Sequence, residues 1–521
     1  MKLLKKLAVL GLAGVLAAGT LAGCGKSETK TGSKDTTLSK ESTKDTSSKE
    51  TGSKNTDPGE TIPIKWYLAG SGPQADVEAV QEAINTYLLD TYNMNIDLQM
   101  IATDYANYPL KMQMVIASGE EYDICWTSSW NNNYYDNVNK NAFIPLDDLL
   151  KENAPELLAS MDTSIWDAVR VKGSIYGVPS QQIFPKQNYV VILKEYADKY
   201  GLDVSKVSKL SDLEEFFKQV KADNPDIYPF AASSNGLLGK HNVALGFESI
   251  AGVSIPGAIK IGDDGVTIYN QFESTELKGF YEMMHRWMEE GLVRKDAVTV
   301  ADNAVPDMKA GKHIAAINAT YKPGVEATET ANFGNKEVVF ATLSDPYLAT
   351  ENLVSSLNAV SQTSKHPDVA MKFLNLVNTD KTLYNLLCFG IEGTHYTVNG
   401  DGTVKTDDAK GYNPNVDWML GNQFNGLLRE GQAPDVWEKT KELNVSAVES
   451  KALGFSFDST TVTNEIASVS AVYDQYGKTL ETGGADPETV LPEFIDKLKT
   501  AGADRIIEEM QKQLDEWKAS R

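Results

Sequence analysis

The stretch Trp126-Thr127-Ser128-Ser129-Trp130-Asn131-Asn132-Asn133-Tyr134-Tyr135-Asp136-Asn137 sets four aromatic rings and four asparagines side by side, with no positive charge. A sugar is neutral, with apolar C–H faces and a rim of hydroxyls. An aromatic ring can cover such a face, while Asn, Gln, Ser and carboxylates bond the rim in fixed directions. Ser128, Trp130 and Asn131 are therefore candidate ligand contacts. The residues leave a second reading open, in which the rings pack inward and the asparagines only make turns. In open α/β sheets ligands sit beyond the carboxyl ends of strands. Other strand ends read from the sequence add Tyr67, Gly70 and Ser71, then Gln181 and Gln182 after Pro179, and Tyr321 after Lys312–Ala319.

Catalytic patterns are missing from the chain. Its five histidines (His241, His285, His313, His366, His395) include no pair at i, i+4, so no HExxH zinc helix is present. No G-x-S-x-G elbow occurs. The stretch Ser234–His241 fails as a phosphate loop, because Ser234 holds the first required Gly position and His241 the hydroxyl position. Asn399-Gly400-Asp401-Gly402 is better read as a hairpin turn than as a calcium loop. Cys125 and Cys388 are expected as two buried thiols or, alternatively, as a disulfide. No cofactor or metal is expected. A glycosidase needs only two carboxylates close in space, which 72 acidic residues make unreadable. A surface glycoside hydrolase or lyase therefore stands as the alternative to a binding protein, as does a binder of peptide or another solute.

The elements that must position these residues follow from periodicity. Ile62–Ala69 reads as a strand, Asp76–Tyr92 as a helix, Ile96–Ile101 as a strand, Tyr108–Ala117 as a helix and Tyr122–Thr127 as a buried strand. This β-α-β-α-β order implies a parallel sheet covered by helices. A second set begins with the strand Tyr189–Leu193. It includes an amphipathic helix over Thr275–Glu290, whose stripe of Leu277, Phe280, Tyr281, Met284, Trp287 and Met288 reads as core. Asp435–Ala452, Val462–Glu481, Pro487–Thr500 and Ala503–Trp517 all read as helices, the last with a stripe of Ile507, Met510, Leu514 and Trp517.

The N-terminus reads as an address. Lys2, Lys5 and Lys6 precede an apolar run that ends in Leu21-Ala22-Gly23-Cys24, the layout of a secretory signal. Residues 25–60 hold 7 Ser, 8 Thr, 7 Lys and 7 acidic residues, with Leu38 as the one large apolar side chain. Such a segment cannot bury enough surface to offset its chain entropy and is expected to be a disordered tether spanning about 30–36 Å. The 521 residues carry 49 Lys+Arg against 72 Asp+Glu, a net charge of −23. With the tether neutral, the acidity belongs to the body. That excludes a nucleic-acid binder, which needs a basic surplus to neutralise phosphates. Three cysteines exclude a disulfide scaffold.

Leu21–Cys24 resembles a bacterial lipobox, which implies a lipidated Cys24 anchored on the outer face of the cell membrane. Met114–Trp126, Ala142–Leu150, Val171–Pro179, Phe389–Tyr396 and Gly421–Phe424 resemble the lipid-anchored extracellular solute-binding proteins of bacterial ABC importers, in their carbohydrate-binding branch. Leu453–Trp517 is similar to the helical C-terminal domain of the long lipoprotein subgroup. The resemblance implies a two-lobed, periplasmic-binding-protein-like α/β fold with a hinge and a helical C-terminal extension. It also implies a monomer that captures a carbohydrate, an oligosaccharide above all, and hands it to ABC permease subunits without chemistry. On this reading residues 1–23 are the signal peptide and 24–60 the tether. Residues 61–180 and 355–410 form the first lobe. Residues 181–354 and 411–521 form the second, including a helical region 435–521, with Val178–Gln182 as the first crossing. Glu392 and Trp418 join the ligand contacts through the resemblance alone.

Overall fold

The computed structural model describes residues 59–234, 236–263, 267–300 and 304–520. The expected signal peptide, Cys24 and the tether as far as residue 58 lie outside the described residues.

The strand Ile62–Gly70 is buried at nearly every position from Ile64 onward, as a strand covered on both faces must be. It pairs in parallel with Ile96–Asp104 on one side and with Ile124–Thr127 on the other. The crossover helix Val77–Tyr92 buries Val80, Ile84 and Leu88, every fourth residue, and ends where Asn93 takes a left-handed φ of 51°. Tyr108–Ser118 is the second crossover helix. Leu357–Val360 and then Val178–Pro179 complete the sheet, Leu357–Val360 running antiparallel to both Ile124–Thr127 and Val178–Pro179. A second sheet has the order Val338–Thr342, Tyr189–Leu193, Ala315–Asn318, Phe230–Ala231.

Each sheet has its own hydrophobic core. The first core draws on Ile64 to Val178 and again on Leu348 to Leu420. The second draws on Tyr189 to Leu343 and on Ala452 to Leu514. The chain therefore passes between cores three times. Lys186 bridges Tyr347 antiparallel, and Tyr347–Leu348 pairs in parallel with Val448–Glu449, so the three crossing segments lie side by side. Buried Glu248 accepts from the Tyr347 hydroxyl at 2.7 Å and the Ser450 hydroxyl at 2.6 Å, fastening two crossings to the second core. Burial raises the pKa of its carboxyl.

Four details depart from the sequence reading. The return to the second lobe comes after Glu430, not at 410, since the Leu427 N–H still donates to Asn385 and the Glu430 N–H to the Val404 carbonyl. Tyr412, Val416, Met419 and Leu420 pack in the first core, Tyr412 donating to the Leu387 carbonyl at 2.7 Å. Val178–Pro179 still belongs to the first sheet, so the first crossing starts later than Val178. The helix expected over 435–452 ends at Ser446, because Val448–Glu449 is drawn into backbone pairing with Tyr347–Leu348. In Ala503–Ala519 the fully buried stripe is Ala503, Ile506, Met510 and Leu514, with Ile507 and Trp517 at its flanks. The stripe of Thr275–Glu289 is buried as its spacing implies.

Candidate functional site

The three crossings leave the first sheet beside the edge where Ile124–Thr127 ends. There the chain makes a tight turn held by its own hydroxyls. Ser128 Oγ donates to the Asn131 carbonyl at 2.7 Å and accepts the Asn131 N–H at 2.8 Å. Asn132, at a left-handed φ of 48°, donates its side-chain amide to the Trp126 carbonyl at 2.9 Å. These local bonds are what Ser and Asn offer in turns. They present Trp130, which is 55% exposed although it is a large apolar ring.

Trp130 is held without being buried. Its Nε1 donates to the Ser355 carbonyl at 3.0 Å. Trp418, from the short helix Asp417–Leu420, stacks on it with centroids 6.3 Å apart and planes at 29°. Fully buried Trp126 meets both rings edge-on, at 5.3 and 5.8 Å, and Tyr105 lies 6.2 Å from Trp130. The four rings form a shelf on the sheet edge. Asn131 donates Nδ2 to the Tyr105 carbonyl at 3.0 Å, and its buried Oδ1 has no partner among the described residues.

Charges border the shelf. The Asp417 carboxylate accepts from Gln423 Nε2 at 2.8 Å and pairs with Arg429 at 3.4 Å. Burial, and then the negative charge of Asp417, push the Tyr105 hydroxyl up to about 12. The same carboxylate acts on Lys322 of the second lobe, where burial lowers the pKa of the ammonium and Asp417 opposes that shift. Lys322 follows Ala315–Asn318, just past the bridge from Thr320 to Gln187 in the first crossing. The charge of Asp417, in the first lobe, is thus felt at Lys322, in the second.

Of the residues singled out in the sequence, Ser128, Trp130, Asn131 and Trp418 come together here. Tyr321 stands next to Lys322 on the second-lobe edge, half-buried against Tyr189 and Phe340, each 5.7 Å away. The others lie elsewhere. Tyr67 is buried in the first core, its hydroxyl donating to Glu120 at 2.7 Å and its ring edge-on to Tyr122, because the strand runs on three residues to Gly70 and is covered on both faces. Ser71 is exposed and accepts from Gln74 at 3.0 Å, beside a separate 210 Å³ pocket lined by Gly70, Met100, Tyr412 and Val416. Gln181 is spent on Ser160 Oγ at 2.8 Å and lines a 530 Å³ pocket with Phe424 and Asn444. The Gln182 carbonyl accepts from Asn444 at 2.7 Å. Glu392 is exposed, in a bridge with Tyr396. Tyr105, Asp417 and Lys322 escaped the sequence reading. Tyr105 stood just beyond a strand end placed too early, and the adjacent Tyr321 and Trp418 were the signals for the other two.

Residues 399–402 turn a hairpin between Tyr396–Val398 and Val404–Thr406, Asp401 accepting from Thr403 at 3.0 Å. Cys125 and Cys388 are separate buried thiols, and burial pushes Cys125 up to about 12.

Two α/β cores joined by three adjacent crossings, with an aromatic shelf at the edge where the crossings leave, define a hinged solute-binding protein. The chain belongs to the bacterial extracellular solute-binding protein family, whose model matches residues 71–383. Residues 451–519 match a domain of unknown function, DUF3502. A carbohydrate ABC transporter substrate-binding protein of Streptococcus pneumoniae is 28% identical over 475 residues, which cover 88% of this chain and 92% of the relative. The crystal structure of the N-glycan transport solute binding protein NgtS from Streptococcus pneumoniae superposes with a TM-score of 0.76 at 25% identity, covering 88% of this chain and 99% of the other. The NgtS complex with Man5GlcNAc superposes at 0.70 and 26% identity over the same shares.

Proposed function

We propose that the chain is the substrate-binding component of a carbohydrate ABC importer and captures a neutral oligosaccharide on the aromatic shelf. The observation that carries this reading is the stacked pair Trp130–Trp418, held at the edge of a sheet with Trp130 open to solvent. Leaving a Trp ring exposed forgoes about 1.5–3 kcal/mol of burial, so its exposure asks for a flat apolar partner. The relatives named above, which carry carbohydrate and N-glycan in their descriptions, support a mannose or N-acetylglucosamine oligosaccharide as the first guest to test.

On this reading the guest sits against Trp130 and Trp418 of the first lobe and meets Tyr321 and Lys322 of the second. Bound between them it stabilises the closed arrangement, and closure at the three crossings is what the permease reads. The first lobe then spans 61–180 and 348–430, its last residues bonded to Asn378, Asn385 and Val404, and the second 181–347 with 431–521. The lipobox pattern at Cys24 supports anchoring by lipid, with the neutral tether keeping a monomeric body in water near the permease.

Titration with mannose–N-acetylglucosamine oligosaccharides tests the reading. Quenched Trp fluorescence and a higher Tm are expected, since a ligand that binds only the native state stabilises it by linkage. A broad panel of neutral glycans that moves neither signal overturns it.

A further inference from the structure

The C-terminal helices do more than cover the second core. The helix Thr463–Glu481 ends in Glu481, which is 2% exposed and forms no ion pair among the described residues. Its Oε2 accepts the backbone N–H of Leu238 at 2.8 Å, and its Oε1 accepts a short hydrogen bond from the Tyr473 hydroxyl. Leu238 opens the single turn Leu238–Lys240 in the segment that follows the strand Phe230–Ala231. That strand runs parallel to Ala315–Asn318, so the segment emerges at the sheet edge that also carries Tyr321 and Lys322. The same segment is tied to the first crossing, where the Ala244 N–H donates to Asn188 Oδ1 at 2.8 Å. It is therefore gripped from two sides, by the crossing and by the C-terminal region.

We propose that Glu481 is a positioning residue for ligand capture: through Leu238 it sets the 236–246 segment at the cleft-facing edge of the second lobe. The proposal rests on the cleft reading given above and assigns a task to the C-terminal region of unknown function. A buried carboxylate is an expensive way to hold a helix end, and an apolar residue would fill the space at less cost. What the carboxylate adds is a directed acceptor for a backbone donor in another element.

The grip responds to pH. Burial pushes the Glu481 carboxyl up to about 7, against the opposing pull of Tyr473, the Leu238 N–H and Lys478. From the helix Thr275–Glu289, buried Tyr281 faces the same charge, its hydroxyl without a hydrogen-bond partner among the described residues. His285 on that helix bonds the Gly483 carbonyl at 2.9 Å, two residues beyond Glu481. The segment itself carries Lys240, and His241, which burial holds down at about 4 and so keeps neutral. The ionised carboxylate is the stronger acceptor for Leu238, so affinity rises as pH climbs through 7.

The test uses full-length protein with Man5GlcNAc as probe, calorimetry between pH 6 and 8, and amide exchange over 236–246. For E481Q, binding about 3- to 10-fold weaker and flat with pH is expected, while the C-terminal helices stay protected. Y473F keeps the carboxylate but removes one donor. It serves where E481Q does not fold, and its affinity midpoint should move to higher pH. An E481Q protein with wild-type affinity and pH profile overturns the proposal. So does a pH response that survives E481Q and disappears in H285Q. If wild-type protein binds no glycan at all, the carbohydrate reading fails and amide exchange decides the positioning role. Faster exchange at 236–246 in E481Q supports the grip, and unchanged exchange overturns it.

Discussion

The two lobe edges beside the crossings are built on opposite principles. The first-lobe edge is a shelf of rings, Tyr105, Trp126, Trp130 and Trp418, fixed by turn hydroxyls and indole N–H bonds. The second-lobe edge adds buried charge to its rings Tyr189, Tyr321 and Phe340. There Glu329, 4% exposed, accepts from Tyr189 at 2.6 Å and Asn318 at 2.8 Å, with Tyr321 and Lys322 just beyond. A ring accepts any apolar sugar face, whereas a carboxylate or ammonium in a fixed place accepts only a group placed to meet it. On the proposed reading, the rings of the first lobe supply most of the affinity and the charged edge of the second most of the discrimination.

Trp418→Ala should break that division hardest. It removes the stacking partner of Trp130 and an edge contact to Trp126, so glycan affinity should fall by more than ~30-fold and stability by about 2 kcal/mol. Calorimetry and denaturant unfolding check both numbers. Trp130→Ala should cost about 10- to 30-fold in affinity but under about 1 kcal/mol of stability, since the ring is mostly in solvent and loses one hydrogen bond. Equal losses in both quantities would make Trp130 a structural residue.

Lys322→Met sharpens the other side. It should weaken binding only a few-fold, but change the order of preference within a glycan panel; a uniform loss for every glycan would contradict the assignment. Tyr67→Phe is the smallest expected change. It breaks the bond to Glu120 in the first core, costing about 1 kcal/mol, and should leave affinity unaltered.

Acid unfolding offers a control away from the shelf. The Arg286 guanidinium beside Glu214 holds its carboxyl down at about 2, against an ordinary value of 4.5. Its stabilisation is present above 4.5 and is lost as pH falls toward 2. Glu481 has the opposite sign, its folded value being raised, so its contribution declines as pH rises from about 4.5 to 7. E214Q should therefore flatten the acid limb of the stability curve without altering glycan affinity.

Much of the molecule was legible in the residues themselves. The alternation and helical spacing of Ile62–Thr127, the stripe of Thr275–Glu289 and the turn chemistry of Ser128–Asn132 are local, and local sterics and hydrogen bonding fix them. Trp130 could be singled out because its neighbours are turn formers and carry no charge. Tertiary structure alone decided which strand-end residue reaches the edge. Tyr67 and Trp130 both read as aromatic residues by strand ends, yet a strand that continues to Gly70 under cover on both faces buries one and a hydroxyl-held turn exposes the other. It also decided that Val448–Glu449 would be a strand and not the end of a helix. The pairing partner, Tyr347–Leu348, lies about a hundred residues away in sequence, and no local preference can anticipate a hydrogen bond offered from there.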